Sequence, residues 1–160
     1  MFDSLFFQPT FEVNPKLIIV KGNLFDGKDE AIAHGCNTIG VMGAGIAKQF
    51  RLRYPEMFRV YHTTCVEKMF QPGDAIKTFC LAEKRVIYCL ATQNQLGAFA
   101  KLEWIEKSLR KVLSESSPPK TLGIPMIGAG IGGLDSKDVL NLFHKLAAEY
   151  PNTQITVYQL

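Results

Sequence analysis

Gly40-Val-Met-Gly-Ala-Gly-Ile-Ala47 and Gly128-Ala-Gly-Ile-Gly-Gly-Leu-Asp135 are two glycine-rich stretches, each preceded by an apolar, strand-like run and followed by a helical pattern. A strand that turns through glycines into a helix presents bare backbone N–H groups. The helix N-terminus adds partial positive charge, so an anion can settle there without a cationic side chain. One such loop is equally well explained by tight turning and close helix-to-sheet approach. Two in one small domain point to a ligand containing a diphosphate, gripped from both sides.

Neither loop fits the commoner nucleotide signatures. Gly128, Gly130 and Gly133 satisfy G-x-G-x-x-G, but a dinucleotide-binding unit needs a further strand ending in an acid about twenty residues on. Here a helix and one last strand close the chain. The first stretch has Ile46 after Gly45, where a phosphate-binding P-loop requires lysine. Both loops are expected to bind phosphate through the backbone.

Working outward, Leu17–Val20 and Ala31–Cys36 read as buried strands, the second feeding the first glycine loop. Ile46, Ala47, Phe50 and Tyr54 recur at helical spacing until Pro55, where a new helix starts with Phe58, Tyr61 and Cys65 on one side. Pro72-Gly73-Asp74 marks a turn. Ala75–Leu81 and Val86–Leu90 then read as an antiparallel hairpin inside an otherwise alternating β/α pattern, which makes the sheet mixed. Leu102, Ile105, Leu109, Val112 and Leu113 share one helix face; so do Val139, Leu142, Phe143, Leu146 and Tyr150. Thr121–Ile127 is the strand before the second loop, and Ile155–Tyr158 the last strand.

The chain of 160 residues is 47% hydrophobic and 21% charged, the composition of one α/β domain with a full core. A net charge of +3, without basic blocks, gives no nucleic-acid footprint yet suits a small anion. Cys36, Cys65, Cys80 and Cys89 include no C-x-x-C pair, so neither a disulfide framework nor a metal site is expected. The first nine residues are apolar but acidic and broken by Pro9, unlike a secretory signal, and no apolar run is long enough to span a bilayer. A cytoplasmic monomer without a cofactor is expected, with residues 1–15 as an extension against a single domain.

Candidate chemistry clusters around the loops. His34 and Asn37 stand at the end of a buried strand, where open α/β sheets present ligand groups. The histidine suits proton transfer or a sugar hydroxyl, or else is a core histidine satisfied by hydrogen bonds; the asparagine suits a ribose. Asp135 reads as a helix cap, with orienting a water as its alternative role. His62 and His144 lie in helices away from the loops and read as structural or surface residues; Trp104 reads as packing.

Together, Lys21-Gly-Asn-Leu24, Ala33-His-Gly-Cys-Asn37, Gly-Val-Met-Gly-Ala-Gly-Ile-Ala and Ile-Gly-Ala-Gly-Ile-Gly-Gly-Leu make the chain resemble a macro domain from about Leu17 to Leu160. Within that family it looks most like the ADP-ribose 1″-phosphate phosphatase branch, sharing the His-x-Cys-Asn element and the Thr-Val-Tyr-Gln-Leu ending. The resemblance implies a three-layer α/β/α fold with a mixed six-stranded sheet and ADP-ribose in a cleft at the strand ends.

By motif position it implies that Gly22, Asn23 and Leu24 meet the adenine side and Asn37 the distal ribose. Met42, Gly43, Ala44, Gly45 and Ile46 would wrap the distal ribose and phosphate. Gly128, Ala129, Gly130, Ile131, Gly132, Gly133 and Leu134 would hold the diphosphate. Asn23 replaces the family's usual aspartate and keeps an amide oxygen as acceptor without its charge. The implied activity is hydrolysis of ADP-ribose 1″-phosphate, with His34 as acid or base and Asp135 orienting water. The alternatives are removal of ADP-ribose from protein or nucleic acid, and binding alone. Glycohydrolase relatives use a lysine where this chain has Gln93, and an aspartate near Gly132. The stretch Gln93–Gly97 is expected to border the cleft.

Overall fold

The computed structural model describes residues 17–159. The expected N-terminal extension, residues 1–15, lies outside the described residues. Six strands, β1 (Leu17–Lys21), β2 (Ala31–Asn37), β3 (Ala75–Cys80), β4 (Arg85–Gln93), β5 (Thr121–Pro125) and β6 (Gln154–Gln159), form one sheet in the order β1-β6-β5-β2-β4-β3. Every neighbouring pair is parallel except β3–β4, the expected hairpin, so the sheet is mixed.

Four helices cover it: α1 (Gly45–Arg53), α2 (Pro55–Val66), α3 (Leu102–Leu113) and α4 (Ser136–Glu149). Pro55 starts α2 at its first position, where a missing N–H costs nothing, and Tyr54 serves as the corner between α1 and α2. The apolar stripes of α3 and α4 pack with Ala31, Ala33, Tyr88 and Leu90 on one face. Phe50 of α1 and Met57, Tyr61 and Cys65 of α2 pack with Ile32, Cys36, Ile87 and Cys89 on the other. Fully buried side chains such as Phe50, Tyr61, Ile105 and Phe143 each contribute about 1.5–3 kcal/mol relative to exposure.

Alternate residues of β2 therefore face two different cores, which explains why the strand is buried along most of its length. Its position also sets the site. The strand following β2 in the chain, β3, lies on the β4 side, whereas the strand following β4, β5, lies on the opposite side of β2. Chain connections thus part around the C-terminal end of β2 and open a crevice there. No described helix is long and apolar enough to cross a membrane.

Candidate functional site

The loops leaving β2, β4 and β5 enclose a cleft of about 580 Å³. Gly35, Cys36 and Asn37 form its floor; Val41–Ala47 form one wall, and Pro125–Gly128 with Gly130, Ile131 and Gly132 the other. Thr92, Gln93, Leu96 and Gly97 close the third side. The two glycine loops face each other, since a Cβ added at Gly45 would lie 3.8 Å from the Cδ1 of Ile131. Among the described residues lining the cleft there is no Asp, Glu, His, Lys or Arg.

What the cleft offers an anion is backbone. Helix α1 starts at Gly45 with no side-chain cap on its first N–H groups. The second loop ties itself internally through Leu134 N–H to Gly128 O at 2.9 Å and Gly133 N–H to Gly130 O at 3.2 Å. Those bonds leave Gly130, Ile131 and Gly132 at its crest. Uncapped N–H groups on both walls make a diphosphate-sized anion the natural occupant.

Asn37 builds the first loop. Its Oδ1 accepts from the N–H groups of Ile39 at 3.0 Å, Gly40 at 3.1 Å and Val41 at 3.3 Å, while its Nδ2 donates to Val41 O at 2.9 Å. The buried hydroxyl of Tyr61 donates to Asn37 O and Oδ1, both at 2.8 Å. Burial pushes that hydroxyl far above the ordinary tyrosine range, and the Cys36, Cys65 and Cys89 sulfurs add to the shift. It remains a donor. Asn37 lines the cleft as expected, but its amide is largely committed to the loop.

Gly40 takes φ of +102°, a conformation side chains rarely adopt, and its carbonyl lies 3.0 Å from Nδ1 of His62. His62 therefore corrects the expectation that it lies away from the loops: one turn of α2 brings it and Tyr61 together under the same loop. His144 is exposed on α4. Trp104 is half-buried beneath the Lys101 ammonium, 4.9 Å from the ring centroid.

His34 is not in the cleft. Strand parity turns it into the α1/α2 core, where it has no exposed surface and its ring stacks on Phe50 with centroids 3.7 Å apart. With no exposed surface and no place in the cleft lining, His34 is corrected from the expected ligand-facing position to one in the core. Asp135 is exposed, caps α4 by accepting from Lys137 N–H at 2.8 Å, and does not line the cleft. Of its two readings, the structure places it as the cap.

Gly22, Asn23 and Leu24 follow β1, which β6 separates from β5, and none of them lines the cleft. Asn23 Oδ1 accepts from Phe25 N–H at 2.9 Å and Leu24 is buried. Met42, Gly43, Ala44, Gly45, Ile46, Gly128, Gly130, Ile131 and Gly132 do line it. Ala129 and Leu134 instead pack against the α3/α4 core, and Gly133 sits against Ala98. Sequence reasoning missed Gly35, Cys36, Thr92 and Pro125–Ile127. They lie at the ends of β2, β4 and β5, so their signal was strand order rather than composition. Gln93 and Gly97 border the cleft as expected, with Gln93 Nε2 donating to Gln95 O at 2.6 Å and Gly97 O at 3.1 Å.

A family profile described as Macro domain matches residues 33–143. The DNA ADP-ribosyl glycohydrolase of Mycobacterium tuberculosis is 32% identical over 146 residues, 86% of this chain and 40% of that protein. The chain thus spans about two fifths of the length of that relative. The ADP-ribose 1″-phosphate phosphatase of Candida albicans is 29% identical over 155 residues, 87% of this chain and 96% of that protein. Among solved structures, the macrodomain of Mycobacterium tuberculosis DarG superposes with a TM-score of 0.83 at 30% identity, covering 90% of this chain and 97% of the other. With the sheet order, the two facing loops and these matches in agreement, the chain belongs to the macro domain family.

Proposed function

We propose that the chain binds ADP-ribose in this cleft and hydrolyses ADP-ribose 1″-phosphate to ADP-ribose and phosphate. The observation that carries the reading is the pair of glycine loops facing each other across a cleft without charged side chains, the first of them opening into α1 with no side-chain cap. In this arrangement the second loop takes the diphosphate, and the first takes the distal ribose with its terminal phosphate. Full-length similarity to a phosphatase supports the reaction.

A water attacks phosphorus and releases a proton to solvent, the bond from phosphorus to the ribose oxygen breaks, and that oxygen leaves with the electron pair and takes a proton from solvent. N–H groups of the first loop and the first turn of α1 stabilise charge on the phosphoryl oxygens. Neither His34 nor Asp135 takes part. Activity is then expected to follow the second ionisation of the substrate phosphate, near pH about 6, and to stay level above it. A steady-state profile with a further inflection near neutrality would show that an enzyme group titrates in the reaction.

The competing reading, release of ADP-ribose from modified protein or nucleic acid, is supported by the glycohydrolase relatives. It is opposed by Gln93, which stands where the resemblance implies a glycohydrolase lysine and whose amide is spent on its own loop. One set of incubations separates the readings: ADP-ribose 1″-phosphate, ADP-ribosylated protein and ADP-ribosylated DNA, with calorimetry on ADP-ribose. Phosphate release supports the proposal; release of ADP-ribose from a macromolecule supports its rival. Binding without turnover leaves a reader of ADP-ribose, and no heat of binding rejects the ligand.

A further inference from the structure

We propose that His62 is a positioning residue for the distal part of the ligand: through one hydrogen bond it keeps the Gly40 carbonyl on the α2 side of the first glycine loop, and so fixes the backbone N–H groups that follow. The inference rests on the proposed placement of the distal ribose and terminal phosphate at that loop.

Backbone hydrogen bonding divides the loop in two. In the first part, Thr38 N–H donates to Gln93 O at 3.1 Å, and the N–H groups of Ile39, Gly40 and Val41 all donate to Asn37 Oδ1. Val41 O accepts from Asn37 Nδ2, and Gly40 O lies 3.0 Å from Nδ1 of His62. In the second part, the N–H groups from Met42 to Ala47 donate to no group among the described residues, and these residues line the cleft. The first part is thus the anchor, and the second is what remains for an anion. Two neighbouring residues of α2 hold the anchor. Tyr61 works chiefly through Asn37 Oδ1, at 2.8 Å, with a longer contact of 3.4 Å to Val41 O, whereas His62 holds the loop backbone itself.

A carbonyl oxygen only accepts, so Nδ1 carries the proton in this contact, and it does so in the neutral ring and in the imidazolium alike. The direction of the ring is set one helical turn earlier. His62 stacks on Phe58 with centroids 5.6 Å apart and planes 23° from parallel, and Phe58 lies beneath the Arg51 guanidinium at 5.8 Å. An apolar stack therefore orients the ring while a single donor meets Gly40. The loop has no side chain of its own to offer there, since a Cβ on Gly40 would come within 3.2 Å of both Cys65 Cβ and Nδ1 of His62. Glycine's permissive backbone gives the loop other ways to turn, and the hydrogen bond selects one. The contact joins residues 22 apart in the chain, which is why helix position alone placed His62 among structural or surface residues.

The test compares ADP-ribose with ADP, which lacks the distal ribose, by calorimetry on the intact chain and two variants. His62→Phe keeps a ring to stack on Phe58 and removes the donor, whereas His62→Asn restores an N–H near the place of Nδ1. His62→Phe is expected to weaken ADP-ribose binding about fivefold, the worth of one hydrogen bond, and to leave ADP binding unchanged; His62→Asn should recover most of the loss. Amide hydrogen exchange from Met42 to Ala47 should quicken in His62→Phe and slow again in His62→Asn. Equal weakening of both ligands, no recovery in His62→Asn, or a folded His62→Phe that matches the wild type in affinity and exchange would overturn the proposal. If the wild type binds neither ligand, the ADP-ribose reading falls, and the exchange measurement alone decides whether His62 holds the loop.

Discussion

Gly130 and Gly132 sit two residues apart on the same loop and make opposite demands. A Cβ at Gly132 would come within 2.7 Å of Gly128 O and 2.8 Å of the Ala100 Cβ, whereas one at Gly130 meets nothing within 4 Å. Gly132→Ala should cost about 1–3 kcal/mol, as overpacking does, and distort the loop. Gly130→Val should change stability by less than about 0.5 kcal/mol while filling the cleft, so melting temperature and ADP-ribose calorimetry should separate the two variants. Tyr61→Phe removes the hydroxyl that holds Asn37 and should cost about 1–3 kcal/mol. It should also weaken ADP-ribose binding, as the loop loses its anchor; unchanged affinity in a destabilised variant would make Tyr61 merely part of the core. At this scale the glycines were legible because backbone conformation restricts residue type. His34 was not, because a single strand reveals which residues alternate but not which core each set faces.

Tyr54 and Tyr158 are among the tyrosines whose hydroxyls tie elements together. Tyr54, at the α1–α2 corner, donates to Glu83 at 2.8 Å in the β3–β4 turn, and Tyr158 on β6 donates to Asp29 at 2.6 Å ahead of β2. Burial first, and the neighbouring carboxylate second, push each hydroxyl up to about 12 from an ordinary value of 10.0. The folded state therefore holds these protons more tightly than the unfolded chain. Their stabilisation is complete below pH 10.0 and is lost as pH rises towards about 12. Thermal melting across that window should fall steeply for the wild type and less steeply for Tyr158→Phe. Helix α2 was legible from Pro55 and the apolar spacing after it. The end of β4 was not: the expected strand stopped at Leu90, but pairing of Asn37 with Gln93 across a register shift in β2 extends it to Gln93. Partner strands, rather than local propensity, set such ends.

Two cores share one sheet, and the binding cleft opens where the chain connections part between β5 and β4. The sequence announced a mixed sheet with helices on both faces, since the hairpin and the β/α alternation are local patterns. Strand order is a long-range property, and Thr92 and Met126 enter the cleft only through it. The charge-free lining has a consequence for solvent conditions. Mobile ions screen interactions between exposed charges over about 8–10 Å, but they intervene little in short hydrogen bonds from backbone N–H groups. Raising sodium chloride from about 0.05 to about 0.5 M should thus change ADP-ribose affinity by less than about threefold, whereas a lysine- or arginine-lined phosphate site weakens steeply with ionic strength. A steep salt slope in calorimetry would reveal cationic side chains gathering around the ligand. A flat one would mean that ligand capture stays constant as salt concentration changes around the protein.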